Sequence, residues 1–405
     1  MANTLLTPLM ITREALRVLH QKLNFVSRVE RQYDDRFAQR GAKIGTTLNI
    51  RKPPRYTTST GPALSIQDST ETYVPLTVNT QRHVDLSFSS VELTMQIDDF
   101  SKRFIEPAMA QLAASIENDA LSMYKDVWSQ VGSPTAPTNA LRPFLQARKR
   151  MNDNLTPPDG DRSIILNTDS SVEVVDALKG LFQQSDQIGE QYEEGRMGRS
   201  AGFTWYENTL LPNQLPGTLA GTPLVNGASQ TGSTLVTDGW TASTAALKKG
   251  DVFTIAGVYG VHRETRQPFG YLQQFVATSD ATADGSGNLS IGISPPITTT
   301  GPFQTVSASP ADNAVITPAG VGSTQYGVNL AFHKNAFTFA TADLEDVSAL
   351  GAWGARAVQD GISMRLARQY AIGTDTVPTR IDVLYGFATL YPELACRVAN
   401  IPSAS

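Results

Sequence analysis

Leu247–Val258 reads LKKGDVFTIAGV: a Lys-Gly pair suited to a tight turn, then a run of β-branched and aromatic residues suited to a strand over Val252–Val258. The surrounding sequence has the same character. Between Asn213 and Gly327 only ten residues carry charge, and Gly, Thr, Ser, Ala and Pro dominate. Further short strands are expected over 233–236, 273–278, 289–293 and 314–317, with turns at Asp238-Gly239 and over 284–288. This is the pattern of a separate all-β unit with a core of Val252, Phe253, Ile255, Phe275, Val276 and Ile291. Mixed helix and strand signals flank it, from 141 to 212 and again from 328 onward. The unit therefore reads as inserted into an α+β domain that the C-terminal part completes.

Three elements precede that domain. Residues 1–60 hold eleven Lys and Arg against four Asp and Glu, a local charge of +7, which leaves −12 for the remainder of a chain whose total is −5. Within this stretch Thr12 can cap a helix with Ala15, Leu16, Leu19, Leu23 and Val26 on one face. Its basic face is either solvated, docked on an acidic neighbouring subunit, or in contact with nucleic acid; the charge split between arm and body favours the second over the third. Alternation at Leu48/Ile50, Val74/Leu76/Val78 and Val84/Leu86/Phe88 then predicts a long hairpin, with a polar tip KPPRYTTSTGPALSIQDST over 52–70. That tip cannot build a core and must wave in solvent or lie on another chain. Third, Asp98, Asp99 or Ser101 can cap a helix whose stripe Ile105, Met109, Leu112, Ile116, Ala120, Met123 and Val127 runs to Trp128. About 28 residues at ~1.5 Å rise make a rod of about 40 Å.

Composition narrows the function. A chain of 405 residues has room for two or three domains of about 150 residues. Its single cysteine, Cys396, forms no internal disulfide and cannot alone build a zinc or iron–sulfur site, which points to a cytosolic folding compartment. No apolar run approaches the ~18 residues of a membrane span, and Met1–Ile11 lacks a basic start and a cleavage site, so neither a membrane segment nor a signal peptide is expected. His20, His83, His262 and His333 stand at no metal-ligand spacing; no metal or cofactor is predicted. There is no G-x-S-x-G elbow, and GRMGRSAG (195–202) is not a phosphate loop. A non-enzyme is the expectation.

The order of elements resembles the major capsid (coat) protein of tailed bacteriophages: an α+β Hong Kong 97 fold, in the P22 coat branch that carries an inserted telokin-like, immunoglobulin-like β domain. The wording that carries the resemblance is LKKGDVFTIAGV, VNLAFHKNAFTFATADL (328–344) and GISMRLARQYAIGTDTVPTRIDVLYGFATLYPELACRV (361–398). It implies an N-arm over 1–43, an E-loop with flanking P-domain strands over 44–100, and a P-domain spine helix over 101–140. The A domain would follow in two parts, 141–212 and 328–405, the latter with closing P-domain strands, around an inserted domain over 213–327. Implied partners are the chain itself, as hexamers and pentamers of an icosahedral shell, a scaffolding protein, a portal protein, a decoration protein and packaged double-stranded DNA contacted non-specifically. The implied location is the virion, with assembly in the bacterial host cytoplasm and no membrane.

One departure stands out: 231–246, where some members carry a long charged loop, holds only Asp238, so pairing across capsomers through it is not expected. No Lys–Asn crosslink is predicted. Candidate inter-subunit contacts are Arg51, Lys52, Arg55 and Tyr56 on the hairpin and Arg13, Arg17, Arg28 and Arg31 on the arm, because arginine pairs bidentately with carboxylates. A β-rich carbohydrate-binding or fibre-type protein is the alternative, against which the long helix argues.

Overall fold

The computed structural model describes residues 7–31, 47–89, 101–135, 141–178, 198–344, 347, 353–359, 361–374 and 376–400. From the N-terminus come helix α1 (Pro8–Lys22), strands β1 (Thr47–Lys52), β2 (Thr72–Thr77) and β3 (Thr80–Ser89), and helix α2 (Glu106–Leu121). The short β4 (Gln130–Gly132), α3 (Arg142–Asp153), β5 (Arg162–Leu166) and α4 (Thr168–Leu178) follow. Next are β6 (Arg199–Ser200), β7 (Phe203–Glu207), β8 (Gly221–Val225), β9 (Gly232–Trp240), β10 (Val252–Val261), β11 (Pro268–Ala277), β12 (Leu289–Ile297) and β13 (Ile316–Pro318). The last are β14 (Gly327–His333), β15 (Phe337–Ala342), β16 (Trp353–Gln359), β17 (Ile362–Arg368), β18 (Thr376–Thr389) and β19 (Ala395–Asn400). They form two compact units, one of residues 1–50, 73–121 and 337–390 and the other of 51–72, 122–336 and 391–405.

In the first unit the 14-residue β18 is the organising strand. Its residues 379–382 pair with both β3 and β17, and 384–385 with both β3 and β15, so β3 takes one edge while β17 and β15 share the other. Gly386 permits the crowding, since a Cβ there would lie 2.2 Å from the Thr77 carbonyl oxygen. The buried Asp382 ties three strands together, accepting from Arg365 Nη2 at 2.7 Å on β17 and from Gln81 Nε2 at 2.8 Å on β3. Helix α1 lays Ile11, Ala15, Leu16, Val18 and Leu19 against α2, β16 and β17. Its cap is Thr7, which accepts from the Met10 amide at 3.4 Å with Pro8 next in line. The expected cap, Thr12, sits one turn inside and bonds the Pro8 carbonyl at 2.7 Å, because the Thr7-Pro8 pair starts the helix earlier.

In the second unit a six-stranded sheet runs in the order β4-β19-β14-β5-β7-β6. Helix α3 covers it, with Phe144, Ala147 and Met151 packed among Ile164, Leu166, Phe203, Trp205, Ala331, Cys396 and Val398. A second six-stranded sheet runs β13-β10-β11-β12-β9-β8. Its two edges meet through the Leu224↔Val315 bridge and the Val225 amide donating to the Ala314 carbonyl at 3.0 Å. The result is a closed barrel around Val225, Leu235, Trp240, Phe253, Ile255, Phe275, Leu289 and Ile291. The chain enters and leaves this region at one point, where Gln214 and Tyr326 exchange backbone hydrogen bonds of 2.9 and 3.0 Å.

Several expectations need correction. The β-rich region is one sheet closed on itself rather than the two stacked sheets of an immunoglobulin-like unit; joining β8 to the segment before β13 removes both edges. Asp238-Gly239 is not a hairpin turn: β9 runs through it to Trp240, and Gly239, at φ +74°, absorbs a register shift against β8. The long hairpin ends at β2, which pairs with β1, while β3 departs to β18. The rod helix is shorter than expected. A wide turn over Ser101–Ile105 leads into α2, and after a tighter turn, Ser122–Asp126, the chain becomes β4. Pairing decides this: the Arg397 amide donates to the Ser129 carbonyl at 2.8 Å, and β19 claims 130–132 for the sheet. The Asp98 and Asp99 caps and the first three residues of GRMGRSAG (195–202) lie outside the described residues.

Candidate assembly surfaces

Two adjacent prolines, Pro53 and Pro54, end the β1 ladder because neither offers an N–H. Side chains cross-brace the 53–71 segment in place of backbone pairing. Gln67 Oε1 accepts from the Thr57 amide at 2.8 Å, Tyr56 donates its hydroxyl to Ser69 at 3.3 Å, and Arg51 pairs with Glu71 at 3.2 Å. The tip carries Leu64 and Ile66 at 88% and 83% exposure. Large apolar side chains held this far into solvent mark an interaction surface when they sit together.

The base of the segment is anchored electrostatically. Glu393, on the single turn Pro392–Leu394 before β19, accepts from Arg263 Nη1 at 2.6 Å and from Arg55 Nη2 at 3.5 Å through one carboxylate oxygen. Lys52 Nζ stands 4.9 Å from the centre of the Tyr391 ring, and the Arg55 guanidinium lies 5.6 Å from that of Phe303. Burial alone would raise the Glu393 carboxyl, but Arg263 and Lys52 outweigh it and hold it below the usual carboxylate range. Burial pulls Lys52 down, against the attraction of Glu393.

Of the residues picked out on the arm, the exposed Arg17 pairs along the surface of its own helix, bidentate to Glu14 at 3.0 and 2.6 Å and bonded to Gln21 at 3.2 Å. Arg13 lines an open groove between α1 and β16. Arg28 ends the short turn Val26–Arg28, and the Arg31 amide donates to Glu30 Oε1 at 3.0 Å. That turn is held by Glu117 of α2, buried, which accepts from the Phe25 and Val26 amides at 3.0 and 3.1 Å. Among the barrel residues, Phe253, Ile255, Phe275 and Ile291 point into the barrel core, with the Phe253 and Phe275 rings stacked at 6.0 Å. Val252 and Val276, paired across the ladder, point the other way and pack with Trp128.

Sequence reading missed the network at the barrel's root. Asp251, buried, accepts from the Gly217 and Lys248 amides at 2.9 and 2.8 Å and from Gln214 Nε2 at 2.8 Å; the Gln214 carbonyl oxygen of the same amide group accepts from Tyr124 at 2.7 Å. Arg397, fully buried in β19, donates to the Gly250 carbonyl at 2.8 Å. Gly250, at φ +96°, makes the turn that presents that carbonyl. Burial raises the Asp251 carboxyl against the pull of its donors and lowers Arg397. The only signal available was one arginine inside the apolar run ACRVAN, with its partners about 150 positions away in the chain.

His333 is buried with both ring nitrogens engaged, by Asp159 at 3.0 Å and by the Asn335 amide at 3.2 Å. Burial pushes the Cys396 thiol up to about 11, far from a reactive thiolate. Among the described residues no group of His, Cys, Asp and Glu could hold a metal, and no helix is long and apolar enough to cross a membrane.

The P22 coat protein (gene protein 5) family model matches residues 27–397, and the chain belongs to that family. It is a major capsid protein, a component of the virion that assembles with copies of itself into a shell. No curated protein sequence matches it. Among solved structures it is similar to a chain of Mycobacterium phage Che8, at 11% identity and TM-score 0.48 over 93% of this chain and 90% of that one. A capsid chain of the cyanophage P-SCSP1u is similar at 11% identity and TM-score 0.44 over 89% and 84%. The CUS-3 coat protein I-domain is similar at 24% identity and TM-score 0.19, over 24% of this chain and 94% of that one.

Proposed function

We propose that this coat subunit tiles an icosahedral head of the Hong Kong 97 type, as hexamers and pentamers around packaged double-stranded DNA, with the 53–71 segment lying on a neighbouring subunit. The observation that carries this reading is the combination of a base fixed by Glu393 and a tip that leaves Leu64 and Ile66 exposed. An extension of this kind adds area on a neighbour, and closure by symmetry multiplies modest contacts into a stable shell. On this reading Arg51, Lys52, Arg55 and Tyr56 contribute to the hairpin contact and Arg13, Arg17, Arg28 and Arg31 to contacts of the N-arm. Residues 213–327 act as an inserted domain, which the meeting of Gln214 and Tyr326 and the separate barrel core support. Scaffolding, portal and decoration proteins are the further partners, assembly takes place in the bacterial host cytoplasm, and DNA is contacted without sequence preference.

Expression with and without the neighbouring genes, followed by electron microscopy and light scattering, tests the reading. Closed shells or tubes of very many copies support it. A clean monomer or trimer under both conditions overturns it and returns the fibre-type alternative.

A further inference from the structure

We propose that the cavity where α3, the β10–β11 ladder and the base of the hairpin meet is a binding site for a single phosphate-sized oxyanion. The cavity encloses about 50 Å³ and is lined by Arg55, Arg150 and Arg263 together with Asn154, Gln273 and Thr305; no Asp or Glu lines it. One water needs ~10–15 Å³ on the same measure, so the space holds a few waters or one small oxyanion such as inorganic phosphate or a carboxylate.

Charge accounts for the preference. Among the described residues Arg55 and Arg263 both pair with Glu393, and Lys52 also draws on it, so three cations share that carboxylate. Burial lowers Arg55, and Arg263 and Arg266 lower it further by repulsion. Arg150 has no ion pair among the described residues: its guanidinium lies 3.5 Å above the Tyr271 ring, while the neighbouring Asp153 accepts from Lys149 at 3.0 Å and from the Tyr271 hydroxyl at 2.9 Å. Three half-buried guanidinium groups converge with a net positive excess, a costly arrangement that an oxyanion relieves. Guanidinium forks match oxyanion geometry bidentately, and the amide and hydroxyl groups of Asn154, Gln273 and Thr305 supply further polar contacts. The oxyanion can arrive as free phosphate or as an acidic side chain of a second copy.

The test is titration of the unassembled full-length subunit with inorganic phosphate, by calorimetry and by thermal unfolding against chloride at equal ionic strength. This arm needs no shell, so its outcome is separate from that of the coat reading. Saturable binding and a phosphate-specific rise in the unfolding midpoint are expected. Arg150→Gln should weaken the affinity by about tenfold or more, ~1.4 kcal/mol, and Arg150→Lys by less, because it keeps the charge and loses the fork. Arg142→Gln, an exposed residue of α3 that does not line the cavity, should bind as the parent does. Repeating the titration on assembled particles separates the sources: binding that persists identifies free phosphate, and binding that disappears identifies a carboxylate from a neighbour. No phosphate effect beyond chloride in the parent subunit, or an effect equal in Arg150→Gln and Arg142→Gln, overturns the proposal.

Discussion

Replacing Glu393 by glutamine keeps the shape of the anchor and removes its charge. Lys52, Arg55 and Arg263 would then face one another around a neutral amide. Removing one partner of a fully buried ion pair costs about 3–5 kcal/mol. Here the Glu393 side chain is 9% exposed but Arg263 and Arg55 are 20% and 35% exposed, and solvent screening reduces the loss to about 2–3 kcal/mol. For a unit of this size that is a fall in Tm of about 4–12 °C. The pH dependence has a definite sign. The folded-state carboxyl is held below its ordinary, unfolded value, so its contribution is complete above that ordinary value and is lost as pH falls through the lower folded one. Parent and variant should therefore differ at pH 7 and converge in acid, and added salt should narrow the gap by screening the cationic repulsion. Urea unfolding of the unassembled subunit gives the free energies, and limited proteolysis reads whether 53–71 loosens. A variant within about 0.5 kcal/mol of the parent at pH 7 would show that the cluster is solvated and the anchor is not electrostatic.

Other perturbations address other parts of the molecule. Glu117→Gln replaces one of two oxygens that receive the Phe25 and Val26 amides with an NH₂ group, and should cost about 2–3 kcal/mol and speed amide exchange over 24–29; unchanged exchange there refutes the cap. Phe253→Ala empties a ring position stacked on Phe275 in the barrel core and should cost about 3–5 kcal/mol in denaturant unfolding. Residues 213–327 expressed alone should unfold cooperatively, and a broad non-cooperative transition would move the domain boundary. Leu64→Ser with Ile66→Ser should leave subunit stability within about 0.5 kcal/mol, since both side chains are exposed, yet reduce the yield of closed particles; full yield would remove the tip from assembly.

Local signals accounted for much of the secondary structure. The LKKGDVFTIAGV turn and strand and the apolar stripe of α2 stand near where periodicity and turn residues put them, because each depends on neighbours within a few positions. β16 and β19 gave no comparable warning: both owe their form to ladders with β17 and β14 rather than to their own composition. The corrected helix end at 122–128 has the same origin, since a strand more than 260 residues later captures it. The anchor was half legible. Lys52 and Arg55 stood out in a Pro-rich hairpin, whereas Glu393 and Arg263 come from remote segments and carry no motif.

The sequence by itself determined the class of protein: the order of arm, hairpin, helix, mixed domain and low-charge β region, together with three stretches of family wording, points to a coat subunit. Only the tertiary structure decided that the β region closes as a barrel, that Asp251 and Arg397 are buried at its root, and that three arginines converge on one cavity. The physical reason is range. Propensity and periodicity act over a few residues and are written in the local sequence, but edge closure, ion pairing and burial depend on partners that only folding brings together.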